Sequence, residues 1–344
     1  MQLPRQKSLD FVILGTARSG TTALGSAVNL DPQTFCAIEY FKGELELDYS
    51  KLTLPQDFFC DKYAASNPIN TQQTREILKK KLNDGPVNIY GNKVPNYYLT
   101  IRRLHHQLPQ LRSVALIRDP VQVALSWDKR AANDKDRWVS GRTGIVAILN
   151  WALEILAYSE GINNLLLVSY DALFFDDPSY FSLIMQHLTT SRAQSSTTEQ
   201  FSSKFFRLHG DESRSIHDNS FYIHHEFCIK QGCDEVVKLI RDKGIVSCSD
   251  SEDCLRHFAM NLIPQLAVYI CNFLKSSTNQ EEVDFICKWM NQYVRSYDDK
   301  CSLAYQSAIP CFRDILATIS TLDHKETPSY ARLVNTLSFD QSLV

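Results

Sequence analysis

The sequence predicts an α/β fold in which a central parallel sheet is flanked by helices and followed by a helical C-terminal region. Short apolar runs at residues 11–14, 114–117 and 165–170 support this prediction. Runs of this length without polar alternation are typical of parallel strands that are buried on both faces. Segments with helical spacing follow the first two runs, at residues 23–28 and 121–127. Strands and helices therefore alternate along the chain, as parallel strands require.

Composition and charge exclude several classes of protein. The 344 residues are 44% hydrophobic and 22% charged, which suits one large α/β domain with an appended helical region, or two modest domains. The net charge of −3 opposes binding to nucleic acid. No apolar segment precedes the first strand, and no run reaches the ~18 apolar residues of a membrane-spanning helix. We therefore expect a cytoplasmic protein with no membrane span and no nucleic-acid partner.

A phosphate-binding loop is indicated where the first strand ends. The stretch GTARSGTT places Gly15 and Gly20 at the spacing of the nucleotide-hydrolase loop G-x-x-x-x-G-K-[ST], but Thr21 stands where the lysine belongs. ATP hydrolysis is therefore disfavoured. Arg18 supplies a planar cation, and the backbone N–H groups at the start of the following helix can donate to an anion. The loop suits a phosphate group that is held without Mg²⁺.

A second anion site is indicated in the stretch LRSVALIRDPVQVALSWDKR. Arg118 lies at the carboxyl end of the apolar run 114–117, and Asp119-Pro120 ends the strand. Ser126 follows Arg118 by eight residues, two turns into the next helix, where its hydroxyl could face the same crevice. Taken alone, the segment is also explained by an ion pair between Arg118 and Asp119 and a surface position for Ser126.

The two segments together resemble the cofactor motifs of the sulfotransferases that use 3′-phosphoadenosine-5′-phosphosulfate (PAPS). The shared pattern is R-S-G-T-T at a strand–helix turn, then a strand, R-D-P and a serine eight residues after that arginine. The stretch GNKVPNYY resembles the lysine-x-proline segment of Golgi carbohydrate and protein-tyrosine sulfotransferases. The stretch LLLVSYDALFFDDP resembles another strand segment of the family. These matches cover roughly residues 10–190, and bacterial carbohydrate and tyrosylprotein enzymes are the most similar in motif.

The resemblance implies how the donor is held. The loop would bind the 5′-phosphosulfate through Arg18, Ser19, Gly20, Thr21 and Thr22. Arg118 and Ser126 would bind the 3′-phosphate, and the product would be 3′-phosphoadenosine-5′-phosphate (PAP). The tryptophan that cytosolic relatives place after the T-T pair is Ala23 here, so Tyr170 is the candidate for stacking on adenine, with a core position as the alternative. No copy of the late G-x-x-G-x-x-K loop is evident. No metal is expected.

Two residues are candidates for catalysis. Sulfuryl transfer resembles phosphoryl transfer in depending on positioning and charge stabilisation, and Lys93 of GNKVP would neutralise the oxygen that leaves sulfur. Glu39, in the largely apolar stretch FCAIEYF, would take the proton of the acceptor hydroxyl. Its position resembles that of the glutamate in the G-E-x-F pattern of nodulation-factor sulfotransferases, although Ile38 replaces the glycine. His105 and His106 are expected on the surface instead.

Three regions are expected along the chain. Residues 1–188 would form the PAPS-binding core, and the serine-rich stretch 189–204 would be a polar loop or linker. Residues 205–344 would be mostly helical, pack on the core and shape the acceptor site. Apolar residues in the stretch 283–293 recur at helical spacing.

The ten cysteines are expected to be reduced and mostly buried. Eight of them fall at Cys228 or later, but no C-x-x-C pair supports a zinc site and no secretory signal supports disulfides. The spacings from Cys228 to Cys233 and from Cys248 to Cys254, with histidines nearby, are a weaker indication of a metal site.

The predicted function is sulfuryl transfer from PAPS to a hydroxyl of a carbohydrate or related small molecule. The acceptor itself and the oligomeric state are not indicated by the sequence. Transfer to a peptide tyrosine is the first alternative. A nucleotide kinase or hydrolase, and a nucleotide-binding protein without catalysis, are alternatives of other classes.

Overall fold

The computed structural model describes residues 8–41, 47–63, 68–132, 143–190, 195–207, 236–247, 252–276, 279–297, 299–300, 302–322 and 327–339. The chain packs as two compact units. The first unit consists of residues 1–118, 161–215 and 237–250. The second unit consists of residues 119–160, 216–236 and 251–344.

One six-stranded sheet runs through the described part of the first unit. Its strands are β1 (Phe11–Leu14), β2 (Thr34–Ile38), β3 (Ile89–Lys93), β4 (Arg112–Ile117), β5 (Leu165–Ser169) and β6 (Ile245–Ser247). They lie in the order β2-β3-β1-β4-β5-β6. Every pairing is parallel except that of β5 with β6, which is antiparallel. The α/β class and the central parallel sheet predicted from the sequence are therefore confirmed.

Helices flank this sheet and make up most of the second unit. In the first unit they include α1 (Thr21–Val28), α2 (Pro68–Asp84), α3 (Ile101–Gln107), α6 (Ser179–Thr189) and α7 (Ser195–Lys204). In the second unit they are α4 (Pro120–Ala131), α5 (Gly144–Tyr158), α8 (Glu252–Ser276), α9 (Gln280–Ser296), α10 (Leu303–Ser320) and α11 (Pro328–Phe339).

The order of the strands creates a switch point beside β1. All four residues of β1 are apolar and fully buried, which places this strand in the centre of the sheet. From β1 the chain continues to β2 and β3 on one side and then crosses to β4 and β5 on the other. In open parallel sheets, ligands bind outside the carboxyl ends of the strands where the order reverses. The ends of β1, β3 and β4 are therefore where a site is expected.

The second unit is built around α5. Every residue of α5 is buried, and α5 packs against α4, α8 and α10, while α9 packs against α11. Within the described residues, Asp253–Ser276 is the one helical stretch that is long and apolar enough to cross a membrane, and 56% of its most apolar window is buried inside the structure. A core helix passes the same test of length and composition.

The structure differs from the expected regions in two places. Part of the segment 189–204 is helix α7, because Phe201 is fully buried and stacks on Phe181 with ring centroids 4.4 Å apart. Strand β6 completes the sheet from within the region expected to be helical, since its backbone pairs with the free edge of β5. Sequence periodicity predicts neither the packing of α7 through Phe201 nor the pairing of β6 with β5, because each depends on residues in another element.

The cysteines that the structure describes are free thiols. Cys36, Cys287 and Cys311 are buried, as expected, whereas Cys60 and Cys254 are exposed and Cys271 is partly exposed. Cys228, Cys233 and Cys248 lie outside the described residues, so the two spacings that suggested a metal site are not described.

Candidate functional site

The loop after β1 needs glycine at both of its ends. Gly15 has φ 141° and Gly20 has φ 94°, both in the region that favours glycine. A Cβ on Gly15 would lie 2.6 Å from the carbonyl oxygen of Leu116, and a Cβ on Gly20 would lie 2.6 Å from the ring of Tyr170. Arg18 also has a positive φ of 79°. The loop is therefore a tight cradle whose shape these residues set.

Ser19 places its hydroxyl next to Gly15, since a Cβ on Gly15 would lie 2.8 Å from Ser19 Oγ. Its side chain is fully buried, and its Oγ has no hydrogen-bond partner in the structure. Helix α1 begins at the next turn, and its N-cap residue Gly20 offers no side-chain cap, so backbone donors of the first turn face the loop. A buried hydroxyl beside a helix N-terminus fits an anionic group. Thr21 is buried, whereas Arg18 and Thr22 are exposed.

Arg118 is held against the loop by two contacts. The register pairs Ile117 of β4 with Ser169 of β5, so the following residues, Arg118 and Tyr170, lie side by side. The guanidinium carbon of Arg118 is 4.5 Å from the centroid of the Tyr170 ring, and its Nη1 donates to the Arg18 carbonyl at 3.0 Å. The guanidinium is therefore fixed beside the loop that follows β1.

Tyr170 supports the loop and Arg118 together. Its ring packs on Gly20 and is only 6% exposed. Burial raises the pKa of Tyr170 above its ordinary value, and the charge of Arg118 lowers it in part. The sequence suggested Tyr170 as an adenine contact, which stays a prediction. Its support of Arg118 was not foreseen, because it follows from the register of β4 and β5.

Ser126 lies on α4, in the second unit, and is partly exposed. Asp119 caps this helix by accepting from the Gln122 backbone N–H at 3.0 Å, so the carboxylate has a structural partner of its own. Binding of a 3′-phosphate by Ser126 stays a prediction.

Glu39 and Lys93 form an ion pair at the carboxyl ends of β2 and β3. Lys93 ends β3, lies in register with Ile13 on one side and Ile38 on the other, and donates from Nζ to Glu39 Oε1 at 2.7 Å. The Lys93 side chain is 1% exposed and the Glu39 side chain 28% exposed. Solvent therefore reaches the pair from the carboxylate side. The two candidates for catalysis are 54 residues apart in sequence and adjacent in space.

Helix α1 leaves room for the lysine. A Cβ on Gly25 of α1 would lie 3.4 Å from the Lys93 Cβ and 2.9 Å from Ile38. Gly25 therefore lets helix α1 approach the strand that carries Lys93. No local pattern around Gly25 predicts this role.

His105 lies away from these residues. It is half-buried, not on the surface as expected, and its Nε2 is 2.8 Å from Ser113 Oγ at the start of β4. Burial lowers the pKa of His105 to about 4. It therefore lies near the amino end of β4, whereas Arg118 follows its carboxyl end. His106 is exposed, as expected.

The part of the chain that contains the loop, Glu39, Lys93 and Arg118 matches the model of a known family. A model of a family described as a sulfotransferase family matches residues 10–194, which is more than half of the chain. No curated protein sequence matches the chain.

Solved sulfotransferases show limited similarity to the structure. A sulfotransferase from Alicyclobacillus acidocaldarius aligns over 58% of this chain and 92% of its own, at 16% identity and a TM-score of 0.37. The sulfotransferase domain from the curacin biosynthetic pathway aligns over 56% of this chain and 77% of its own, at 13% identity and a TM-score of 0.37. Sulfotransferase STF9 from Mycobacterium avium aligns over 58% of this chain and 68% of its own, at 14% identity and a TM-score of 0.36. The match of the family model over residues 10–194 shows that the chain belongs to the sulfotransferase family.

Proposed function

We propose that the protein transfers a sulfuryl group from PAPS to a hydroxyl of a carbohydrate or a related small molecule, and releases PAP. The observation that carries the proposal is the contact of 2.7 Å between Lys93 Nζ and Glu39 Oε1 at the carboxyl ends of adjoining strands. A base that removes a proton and a cation that meets developing negative charge are the two groups that this transfer needs.

The residues of the loop fit an anionic donor. Ser19 Oγ is buried without a partner, and Gly15 and Gly20 let the loop pack closely against Leu116 and Tyr170. Arg118 would meet a further phosphate from the neighbouring strand. The donor, when bound, supplies the activated sulfuryl group.

Each side chain of the pair has a distinct task. Glu39 accepts the proton of the acceptor hydroxyl at its carboxylate, which is the exposed member of the pair. Lys93 carries its positive charge in a buried position, where a charge acts on its neighbours more strongly than in water. Proton transfer to Glu39 would weaken its attraction for Lys93, and the ammonium group would then be available to the leaving oxygen.

The nature of the acceptor rests on the motifs alone. Similarity to bacterial carbohydrate enzymes favours a carbohydrate, and similarity to tyrosylprotein enzymes keeps a peptide tyrosine as the second candidate. A nucleotide kinase or hydrolase is disfavoured because Thr21 replaces the lysine of the nucleotide-hydrolase loop.

Two measurements test the proposal. Thermal unfolding should shift upward with PAP and much less with ATP, because a ligand stabilises the fold according to its affinity. Radiolabelled PAPS should then label one member of an acceptor panel of oligomeric N-acetylglucosamine, 4-nitrophenol and a tyrosine-containing peptide. A shift with ATP and Mg²⁺ but none with PAP would support the kinase or hydrolase instead.

Replacing Arg118 should weaken the binding of a nucleotide with a 3′-phosphate more than the binding of one without it. We expect Arg118→Ala to weaken binding of PAP by about 1.5–3 kcal/mol, because one charge-assisted contact is lost. Binding of the analogue without the 3′-phosphate should change much less. Calorimetric titration of both nucleotides measures the difference. Arg112→Ala is the matched control, since Arg112 lies at the other end of β4 and donates to the Leu188 carbonyl at 3.2 Å. Equal losses for both nucleotides would refute the assignment of the 3′-phosphate to Arg118.

Activity should need no divalent metal. Arg18, Lys93 and the N-terminus of α1 would supply the positive field that Mg²⁺ supplies in kinases. We expect the rate of transfer from labelled PAPS to be the same with and without an excess of EDTA. A rate that EDTA abolishes and added Mg²⁺ restores would contradict this prediction.

A further inference from the structure

The backbone at Glu39 is strained. Its φ of 55° lies in the left-handed region, which is costly for a residue with a side chain. Such a conformation persists only when its surroundings fix it. The Glu39 backbone N–H donates to the Lys93 carbonyl at 2.6 Å, but this bond alone leaves the next residues unconstrained.

Asn92 fixes the segment that follows Glu39. Side chains alternate along a strand, so Asn92 and Lys93 point to opposite faces of β3. The Asn92 Oδ1 accepts from the Tyr40 backbone N–H at 3.2 Å, and its Nδ2 donates to the Phe41 carbonyl at 3.1 Å. The Asn92 side chain is fully buried. The side-chain amide of Asn92 is thus hydrogen-bonded to the backbone of both Tyr40 and Phe41.

Tyr97 completes the network. Its hydroxyl accepts from Asn92 Nδ2 at 2.5 Å and donates to the Phe41 carbonyl at 2.7 Å. Tyr97 is fully buried as well. Removal of the Asn92 side chain would take this acceptor from the Tyr40 backbone N–H, and removal of the Tyr97 hydroxyl would take an acceptor from the Asn92 amide. Both losses are costly in a buried site, so the complete network is rigid.

We propose that Asn92 and Tyr97 are positioning residues that hold the backbone of Tyr40 and Phe41, and through it the Glu39 carboxylate, in place for proton removal. In this proposal Asn92 and Tyr97 contact neither the donor nor the acceptor, and they act through Glu39. The inference rests on the proposed function, because it assigns their effect to the step in which Glu39 takes the acceptor proton.

Two matched tyrosine variants test the inference. Tyr97→Phe removes one hydroxyl from the network. Tyr90→Phe is the control, since Tyr90 is also buried in β3 and its hydroxyl donates to the Val87 carbonyl at 3.0 Å, away from Glu39. We expect Tyr97→Phe to lower kcat about tenfold or more, because small misplacements of a reacting group are costly. The KM for PAPS and the Kd for PAP should stay unchanged. Asn92→Asp, which replaces a donor with an acceptor facing the Phe41 carbonyl, should act in the same direction.

Hydrogen exchange gives a second readout that needs no substrate. The amide protons of Glu39 and Tyr40 should exchange about tenfold faster in Tyr97→Phe than in Tyr90→Phe, because local opening becomes easier. A kcat equal to that of the control in an enzyme that sulfates a panel acceptor would overturn the inference and leave the proposed function intact. A higher KM for PAPS with unchanged kcat would also overturn it. If wild-type protein neither binds PAP nor sulfates a panel member, the proposed function fails, and the exchange rates alone decide whether the network holds this segment.

Discussion

Glu39→Gln is expected to slow the chemical step by about 10²- to 10⁴-fold, which is the usual contribution of a general base. Glutamine keeps the shape of the side chain and can still accept a hydrogen bond from Lys93 Nζ, but it cannot take up a proton from the acceptor. The affinity for PAP should be unchanged, because the groups that we propose to bind its phosphates belong to the loop and to Arg118. Single-turnover rates with labelled PAPS and calorimetry with PAP measure the two quantities.

Glu76→Gln is the matched control for this variant. Glu76 is exposed on α2, where it accepts from Gln72 Nε2 at 2.8 Å. The control should keep both the wild-type rate and the wild-type affinity. A Glu39→Gln variant with an unchanged single-turnover rate would show that another residue is the base.

Lys93→Met is expected to have the second largest effect. It should lower the rate by about 10²- to 10³-fold, as does the loss of one donor that stabilises developing charge. Methionine keeps roughly the length of the buried side chain and removes the charge. Because the Glu39 side chain is 28% exposed, solvent can reach the carboxylate that loses its partner, and we expect the protein to stay folded. Single-turnover rates and thermal unfolding measure the two effects.

Lys81→Met provides the matched control for the loss of a lysine. Lys81 is half-buried on α2 and donates from Nζ to the Asp31 carbonyl at 2.5 Å. This variant should keep the wild-type rate even where it changes stability. A Lys93→Met variant as active as wild type would exclude Lys93 from the chemical step.

The acidity of the acceptor separates the two roles. With acceptor hydroxyls of falling pKa, Glu39→Gln should approach the wild-type rate, because a more acidic hydroxyl needs less help from a base. Lys93→Met should stay slow across the same series, since its defect lies in the leaving group. A parallel response of the two variants would contradict this division of tasks.

The elements around the loop could be predicted from sequence because their signals are local. The apolar run at 11–14 is β1, and the glycines at the predicted spacing have the positive φ angles that a tight turn needs. Helix α1 begins at Thr21, close to the predicted start, because the turn residues end there. Composition, spacing and turn chemistry act within a few residues, so they are visible in a single sequence.

The arrangement of the catalytic candidates could not be predicted in this way. Nothing local to Glu39 or Lys93 shows that their side chains meet, since the contact follows from the register of β2 against β3. The same holds for Tyr170 against Gly20, which follows from the pairing of β5 with β4.

The sequence by itself determined the α/β class, the strand–turn–helix around Gly15 and Gly20, and the residue types available for the proposed sulfuryl transfer. Only the tertiary structure decided which of these residues meet: Lys93 with Glu39, Arg118 with Tyr170, and Asn92 with the backbone after Glu39. The physical reason is that backbone conformation responds to neighbouring residues, whereas contacts between strands depend on their order and register. The order and the register of the strands are set by the burial of the whole sheet.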